Sequence, residues 1–245
     1  MLHKTEGIVI RSVKYSETSL ISTIFTRELG IQSYMVNGVR GRKARYAGAP
    51  LLQAASILQM EVYHKEHKKL QRIREFNSAY LYQNIPRSVI RGSMALFLME
   101  VSKKAIISGV RNPEVFDLLK SSLMNIDREE KVGNYHLHYL IRLSQILGFG
   151  PQFRDGYHAY FNLREGIFQE HLPGHGDFMD EESSYLLARL MTESGAVSSV
   201  KAGRDMRRKL LRMLLRFFEL HLDHFGRIRS EAILDSVFAA RPPQS

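Results

Sequence analysis

The sequence predicts an α+β protein in two parts, a small β-barrel followed by a helical domain. Three observations predict it. Apolar residues recur with a period of two as far as about Ser78 and with a period near 3.6 beyond it. The first stretch divides into five short β-rich runs at close spacing. Charge divides at the same place: residues 1–78 carry 13 Lys and Arg against 6 Asp and Glu, most of the excess in a chain of formal charge +10. Such a balance favours an anionic partner, whether nucleic acid, lipid or acidic peptide.

The strands are expected in order at Thr5–Val13, Leu20–Phe25, Ile31–Val36, Ser56–Tyr63 and Leu70–Phe76. Gly30 supplies the permissive backbone of the turn before the third. In the fourth, Leu58, Met60 and Val62 alternate with Ile57, Gln59, Glu61 and Tyr63, and His64–Lys68 reads as a polar hairpin turn. A hairpin and one longer connection among five strands fit a Greek-key barrel. The five-stranded OB-fold is the best-known barrel of this size, and periodicity alone leaves an SH3-like barrel open. The longer connection is V-N-G-V-R-G-R-K-A-R-Y, Val36–Tyr46. It sets Arg40, Arg42, Lys43 and Arg45 within six positions, with Tyr46 closing the run and no carboxylate among them. Cations beside an aromatic suit a polyanion with exposed bases, although a basic run is also what a solvated surface carries.

Residues 79–245 are expected to be helical. Pro86 and Ser88 open a first helix to about Ser108, and Asn112–Pro113–Glu114 opens a second with a cap residue and a first-turn proline. Gly133–Gly148 is a third, Asp180–Ser194 a fourth, Val200–Phe225 a fifth and Ser230–Phe238 a sixth. Between the third and fourth lies an irregular segment, 149–179, in which Tyr160–Phe161 and Ile167–Phe168 suit a short hairpin. The fifth helix has an apolar stripe through Leu210, Leu214 and Phe217. Its start and outer face are crowded by Lys201, Arg204, Arg207, Arg208, Lys209, Arg212 and Arg216. Cations at a helix N-terminus oppose the macrodipole, so helix propensity does not explain them.

Several chemistries find no support. The chain has no cysteine, which excludes disulfides and thiolate zinc sites. It contains no Walker, G-x-S-x-G or H-E-x-x-H pattern. Asp127, Glu129 and Glu130 cluster without a nearby histidine and read as solvated. His171 and His175 have ligand-like spacing with His158 and Asp177 near in sequence, but histidine-only structural sites are uncommon, and no metal or cofactor is expected. Met94–Val101, the longest mainly apolar run, contains Glu100 and is far shorter than a membrane span. A soluble, cytoplasmic protein is expected, associated with the nucleoid if the anion is DNA.

The motifs resemble one family. T-E-G-I-V-I-R-S-V-K-Y-S-E-T-S-L-I-S-T-I-F-T-R-E-L-G, Thr5–Gly30, is similar to the opening of the RecO family of bacterial recombination mediators. G-V-R-G-R-K-A-R, Gly38–Arg45, resembles that family's basic loop. L-S-Q-I-L-G-F-G-P-Q, Leu143–Gln152, resembles its Leu-Gly-Phe-x-Pro helix end. Tyr160–Phe168 and Phe218–Asp223 are also similar. The resemblance implies an N-terminal OB-fold and a C-terminal helical domain. It implies binding to single- and double-stranded DNA, annealing of complementary strands, and work with RecR to load RecA onto DNA coated by single-stranded-DNA-binding protein. It further implies contact with the acidic C-terminal tail of that coating protein. Many relatives carry a four-cysteine zinc site after the Leu-Gly-Phe block. Here 152–176 has no cysteine, so Phe153, Tyr157, Tyr160, Phe161, Leu163, Ile167 and Phe168 are expected to hold the segment instead.

The expected function is therefore a non-enzymatic DNA-binding mediator. Arg40, Arg42, Lys43 and Arg45 would track phosphates, Lys14, Arg72 and Arg74 would extend the groove, and Tyr34 or Tyr46 would stack a base. Lys201, Arg204, Arg207, Arg208 and Arg212 would contact the acidic tail or DNA. The rivals are a metal-dependent nuclease, for which the sequence offers no gathered carboxylates, and an adaptor that binds acidic tails but no DNA.

Overall fold

The computed structural model describes residues 1–39, 48–153, 159–192 and 199–239. Contacts group the chain into two compact units, Met1–Arg87 with Met99–Asp127, and Ser88–Leu98 with Arg128–Ser245.

In the first unit, β1 (Leu2–Lys14), β2 (Leu20–Thr26), β3 (Gly30–Val36), β4 (Ile57–Tyr63) and β5 (Leu70–Tyr80) close into a barrel of order β1-β2-β3-β5-β4. Each expected strand is present, and β1 and β5 run longer than alternation alone indicates. β1 can be long because it serves two neighbours. Leu2–Ile8 pair with β4, Gly7–Lys14 pair with β2, and a bulge between Val9 and Arg11 bends the strand between them. The barrel closes through a parallel pairing of Ser33–Met35 with Leu70–Arg72. Val9, Ile24, Tyr34, Leu58, Met60, Val62 and Phe76 fill the interior.

Helix α1 (Val89–Ala105) contributes residues to both units, and α2 (Pro113–Arg128) belongs to the barrel's unit. Asn112 caps α2 as its sequence suggests, its Oδ1 accepting from Val115 N at 3.1 Å. Phe116 packs edge-on against Phe25 at 5.4 Å. Around it Arg27 pairs with Asp117 at 2.8 Å, Lys120 with Glu6 at 2.6 Å and Arg111 with Glu28 at 2.7 Å. Gly30 sits at φ +66°, and a Cβ there would lie 2.3 Å from the Val110 carbonyl oxygen.

Asp127 corrects an expectation. It is 1% exposed, not solvated. Its carboxylate accepts from the backbone N–H groups of Gln83, Asn84 and Ile85 and from the Tyr80 hydroxyl, at 2.8–3.1 Å. Burial opposes its charge, but these donors outweigh it and hold the carboxyl below its ordinary range.

The second unit holds the first part of α1 with α3 (Tyr135–Ile146), α4 (Glu181–Thr192), α5 (Arg204–His221) and α6 (Ser230–Ala239). Gly148, at φ +88°, follows α3 as its stop. Helix α5 begins later than its periodicity suggests, because Gly203 is extended, at φ −66° and ψ 162°. Within 149–179 the short hairpin forms as β6 (Tyr160–Asn162) and β7 (Ile167–Gln169). The two-residue β8 (Phe178–Met179) adds a third strand in the order β7-β6-β8. Asn162 Oδ1 shapes the hairpin turn by accepting from Arg164 N at 3.0 Å. Aromatic packing binds the segment: Phe153 stacks on Phe168 at 4.7 Å, and Phe161 meets Phe168 at 4.9 Å and Phe217 at 5.5 Å. Tyr157 lies outside the described residues.

Candidate nucleic-acid interface

Register brings one end of the barrel together. Lys14 is opposite Leu20, Leu20 is opposite Val36, and Met35 neighbours Arg72. Lys14, the root of the longer connection and the start of β5 therefore share that end. The root is tied to the β1–β2 turn: Val39 N donates to the Thr18 carbonyl at 3.1 Å, and the Ser19 hydroxyl donates to Asn37 Oδ1 at 3.1 Å. Arg40, Arg42, Lys43, Arg45 and Tyr46 follow this root but lie outside the described residues. Lys14 and Arg72 are exposed.

Arg74 is exposed too, but its charge is matched. A bulge opposite Glu61 and Val62 leaves Arg74 and Glu75 both facing outward, and Arg74 pairs with Glu61 at 3.1 Å. Lys4 reaches the same Glu61 at 3.5 Å. Tyr34, expected as a stacking residue, has no face open to a base. It is 0% exposed, because its strand face is the one turned into the barrel core.

Sequence reasoning passed over Tyr63, Lys65 and Lys68. All three are exposed, and they surround the start of β5 with Arg72. Reading 64–68 as a polar turn hid them. The available signal was an aromatic at a strand end followed closely by H-K-E-H-K-K.

In the second unit the α5 cations divide. Arg208 pairs with Asp235 at 2.8 Å, and Arg212 reaches Asp235 at 3.3 Å and Glu231 at 3.8 Å, both on α6. Lys209 pairs with Asp180, and Arg216 with Asp177 at 3.0 Å. Lys201 and Arg204 are exposed at the start of α5. Arg207 is half-buried beside Gly133, where a Cβ would lie 2.3 Å from its Nη1. Burial, and secondarily the neighbouring Arg204, pull its pKa below the ordinary arginine value. Lys131, Lys201 and Arg207 line an open groove of about 730 Å³. On its other side Arg207 shares a cavity of about 230 Å³ with Arg204, Arg208, Ile90, His136 and Phe238. His136 is buried there, and burial followed by the charge of Arg207 pushes its pKa down to about 3. The imidazole is therefore neutral at pH 7.

Among the described residues no three His, Asp or Glu side chains gather as a metal site, and no helix is long and apolar enough to cross a membrane. His158 lies outside those residues.

A closed five-stranded barrel of this order, with turns and cations at one end and helices after it, defines an OB-fold protein with a helical C-terminal part. Comparison with known families agrees in both parts. The model of the Recombination protein O N-terminal domain matches residues 1–82, and that of the C-terminal domain matches 86–231. The chain belongs to the RecO family of recombinational DNA-repair proteins. It is 30% identical to the DNA repair protein RecO of Christiangramia forsetii over 239 residues, covering 97% of this chain and 100% of that one. It is 30% identical to the DNA repair protein RecO of Phocaeicola vulgatus over 246 residues, covering 98% and 100%.

Proposed function

We propose that the protein is a non-catalytic mediator that binds and anneals single-stranded DNA. With RecR it would help load RecA onto DNA coated by single-stranded-DNA-binding protein. The observation that carries this reading is the shared barrel end, where the register gathers Lys14, Arg72 and the root of the connection bearing Arg40, Arg42, Lys43 and Arg45. Cations along one edge neutralise phosphates. Annealing then requires only that repulsion between two strands be screened, with no covalent step and no cofactor.

The helical unit is assigned a protein contact, the acidic C-terminal tail of the coating protein. Arg204 and Arg207 stand beside the apolar side chains of Ile90, Leu211 and Phe238 in one cavity, which suits a peptide end with both carboxylates and an apolar residue. Lys201 adds charge in the separate groove that Arg207 also lines, whereas Arg208 and Arg212 already face Asp235. An adaptor that binds acidic tails and no DNA is the alternative.

Fluorescent single-stranded oligonucleotide, titrated across a salt series, tests the reading. With about five phosphates neutralised, the log–log slope should be near −3.5, from roughly 0.7 per contact. Replacing Arg40, Arg42, Lys43 and Arg45 by alanine should make binding weaker and the slope shallower. Unchanged binding would move the DNA contact away from this connection, and no binding by the wild type would favour the adaptor.

A further inference from the structure

The outer face of the β1–β4–β5 ladder changes character at its last rung. On the rung of Lys4 and Glu61, both Lys4 and Arg74 pair with the carboxylate and their charges are matched. On the next outward rung Leu2, Tyr63 and Arg72 stand side by side with no acid among them. Tyr63 is 48% exposed and Leu2 45%. Beyond Tyr63 the turn adds Lys65 and Lys68, both exposed. Neither of these lysines nor Arg72 is in an ion pair among the described residues. A groove of about 390 Å³ runs between Tyr63, Lys65, Lys68, Leu70, Gln71 and Arg72.

The turn is built rather than loose. Gln71 is 3% exposed, its side chain directed back at the turn. Its Nε2 donates to the carbonyls of Lys65 at 2.8 Å and Lys68 at 2.6 Å, and its Oε1 accepts from Lys65 N at 3.0 Å. Lys68 N donates to the Lys65 carbonyl at 3.0 Å. One amide thus satisfies three backbone groups and fixes where the two lysines leave the chain. Arg72 also lines the adjoining groove with Met35, Asn37 and Arg74, which leads to the root of the basic connection.

We propose that the Tyr63 groove is a base-stacking subsite for single-stranded nucleic acid. The inference rests on the single-strand-binding reading above and deepens it. Tyr63 is the platform for one base, Lys65, Lys68 and Arg72 hold the flanking phosphates, and Gln71 is a positioning residue that sets the turn. An aromatic face is sequence-tolerant, because every base has a π-face, and it selects unpaired bases, since those of a duplex already stack on each other. Leu2 and Leu70 border the ring and keep its surroundings apolar, so an unstacked base loses contact with water there. The next phosphates then pass Arg72 toward Asn37.

Two strands of equal length, oligo-dT and its abasic counterpart, separate stacking from charge in the full-length protein. Wild type should prefer oligo-dT. Tyr63→Ala should weaken oligo-dT roughly 5- to 150-fold, the worth of one stacked base, and leave the abasic strand unchanged, while Tyr63→Phe keeps the preference. Changing Lys65, Lys68 and Arg72 together to alanine should weaken both strands and make the salt slope shallower by about 2. Gln71→Ala should weaken both strands, in the direction of the Lys65, Lys68 and Arg72 variant, while keeping the preference for oligo-dT, and tyrosine fluorescence with circular dichroism checks that the barrel is intact. An unchanged ratio between the two strands in Tyr63→Ala overturns the subsite while leaving single-strand binding standing. A wild type that binds neither strand overturns both.

Discussion

At the residue scale Asp127 shows how one buried charge fixes a connection. The chain leaving β5 must pass through 83–85 without a strand partner, and the Asp127 carboxylate collects the three N–H groups there. Removing it leaves those partly buried donors without their shared acceptor. Asp127→Ala is expected to cost about 1–3 kcal/mol of stability, read by urea denaturation. The sign of its pH dependence follows from a folded pKa held below the ordinary value of 3.8. The stabilisation is complete above that value and is lost as pH falls through the folded pKa. The wild type should therefore lose stability in acid more steeply than Asp127→Ala, whose remaining acid loss comes from Asp117, Asp177 and Asp180, also held below the ordinary value. Nothing in the local sequence marked this residue, because two glutamates beside it make the cluster look solvated. Only the return of 83–85 to the end of α2 buries it.

At the element scale the strands were legible and their neighbours were not. Alternation in Ile57–Tyr63 places Leu58, Met60 and Val62 inward, as found. The same rule could not foresee the bulge that puts Arg74 and Glu75 on one face, since a bulge depends on the partner strand. β8 is two residues long, too short for any period, and exists because β6 offers it an edge. Helix α2 has an apolar face like those of the other helices, so its packing on Phe25 could not be read from periodicity. Gly30 was legible as a turn residue but not as the point where Val110 closes in. Gly30→Ala combines a strained φ with a 2.3 Å approach to backbone. It is expected to lower stability by about 2–3 kcal/mol, read as a fall in the urea midpoint of the barrel signal. A midpoint shift below 0.5 kcal/mol-equivalent, roughly the scale of a neutral surface change, would mean that the β2–β3 turn and Val110 separate easily.

At the scale of the whole molecule, family membership was legible because its motifs are spread along the chain. The use of each cation was not, because ion pairing is set by residues remote in sequence. Lys201, Arg204, Arg207, Arg208 and Arg212 look equivalent as a run, yet Asp235 neutralises part of it. The barrel and the helical unit should therefore be separable by mutation. Lys201→Ala with Arg207→Ala should weaken capture of an acidic peptide about tenfold, with oligonucleotide binding nearly intact, as expected for loss of two charge-assisted contacts. Arg208→Ala with Arg212→Ala should weaken it less. Calorimetry with the peptide and anisotropy with the oligonucleotide measure the two effects, and equal losses in both would dissolve the division of labour. Glu61 carries a different consequence. One carboxylate holds Lys4 and Arg74 in reserve beside the Tyr63 groove. On the proposed strand-binding reading, the shortest evolutionary route to a stickier barrel is therefore the loss of an acid rather than the gain of a base, with Glu61 as the governor of that grip.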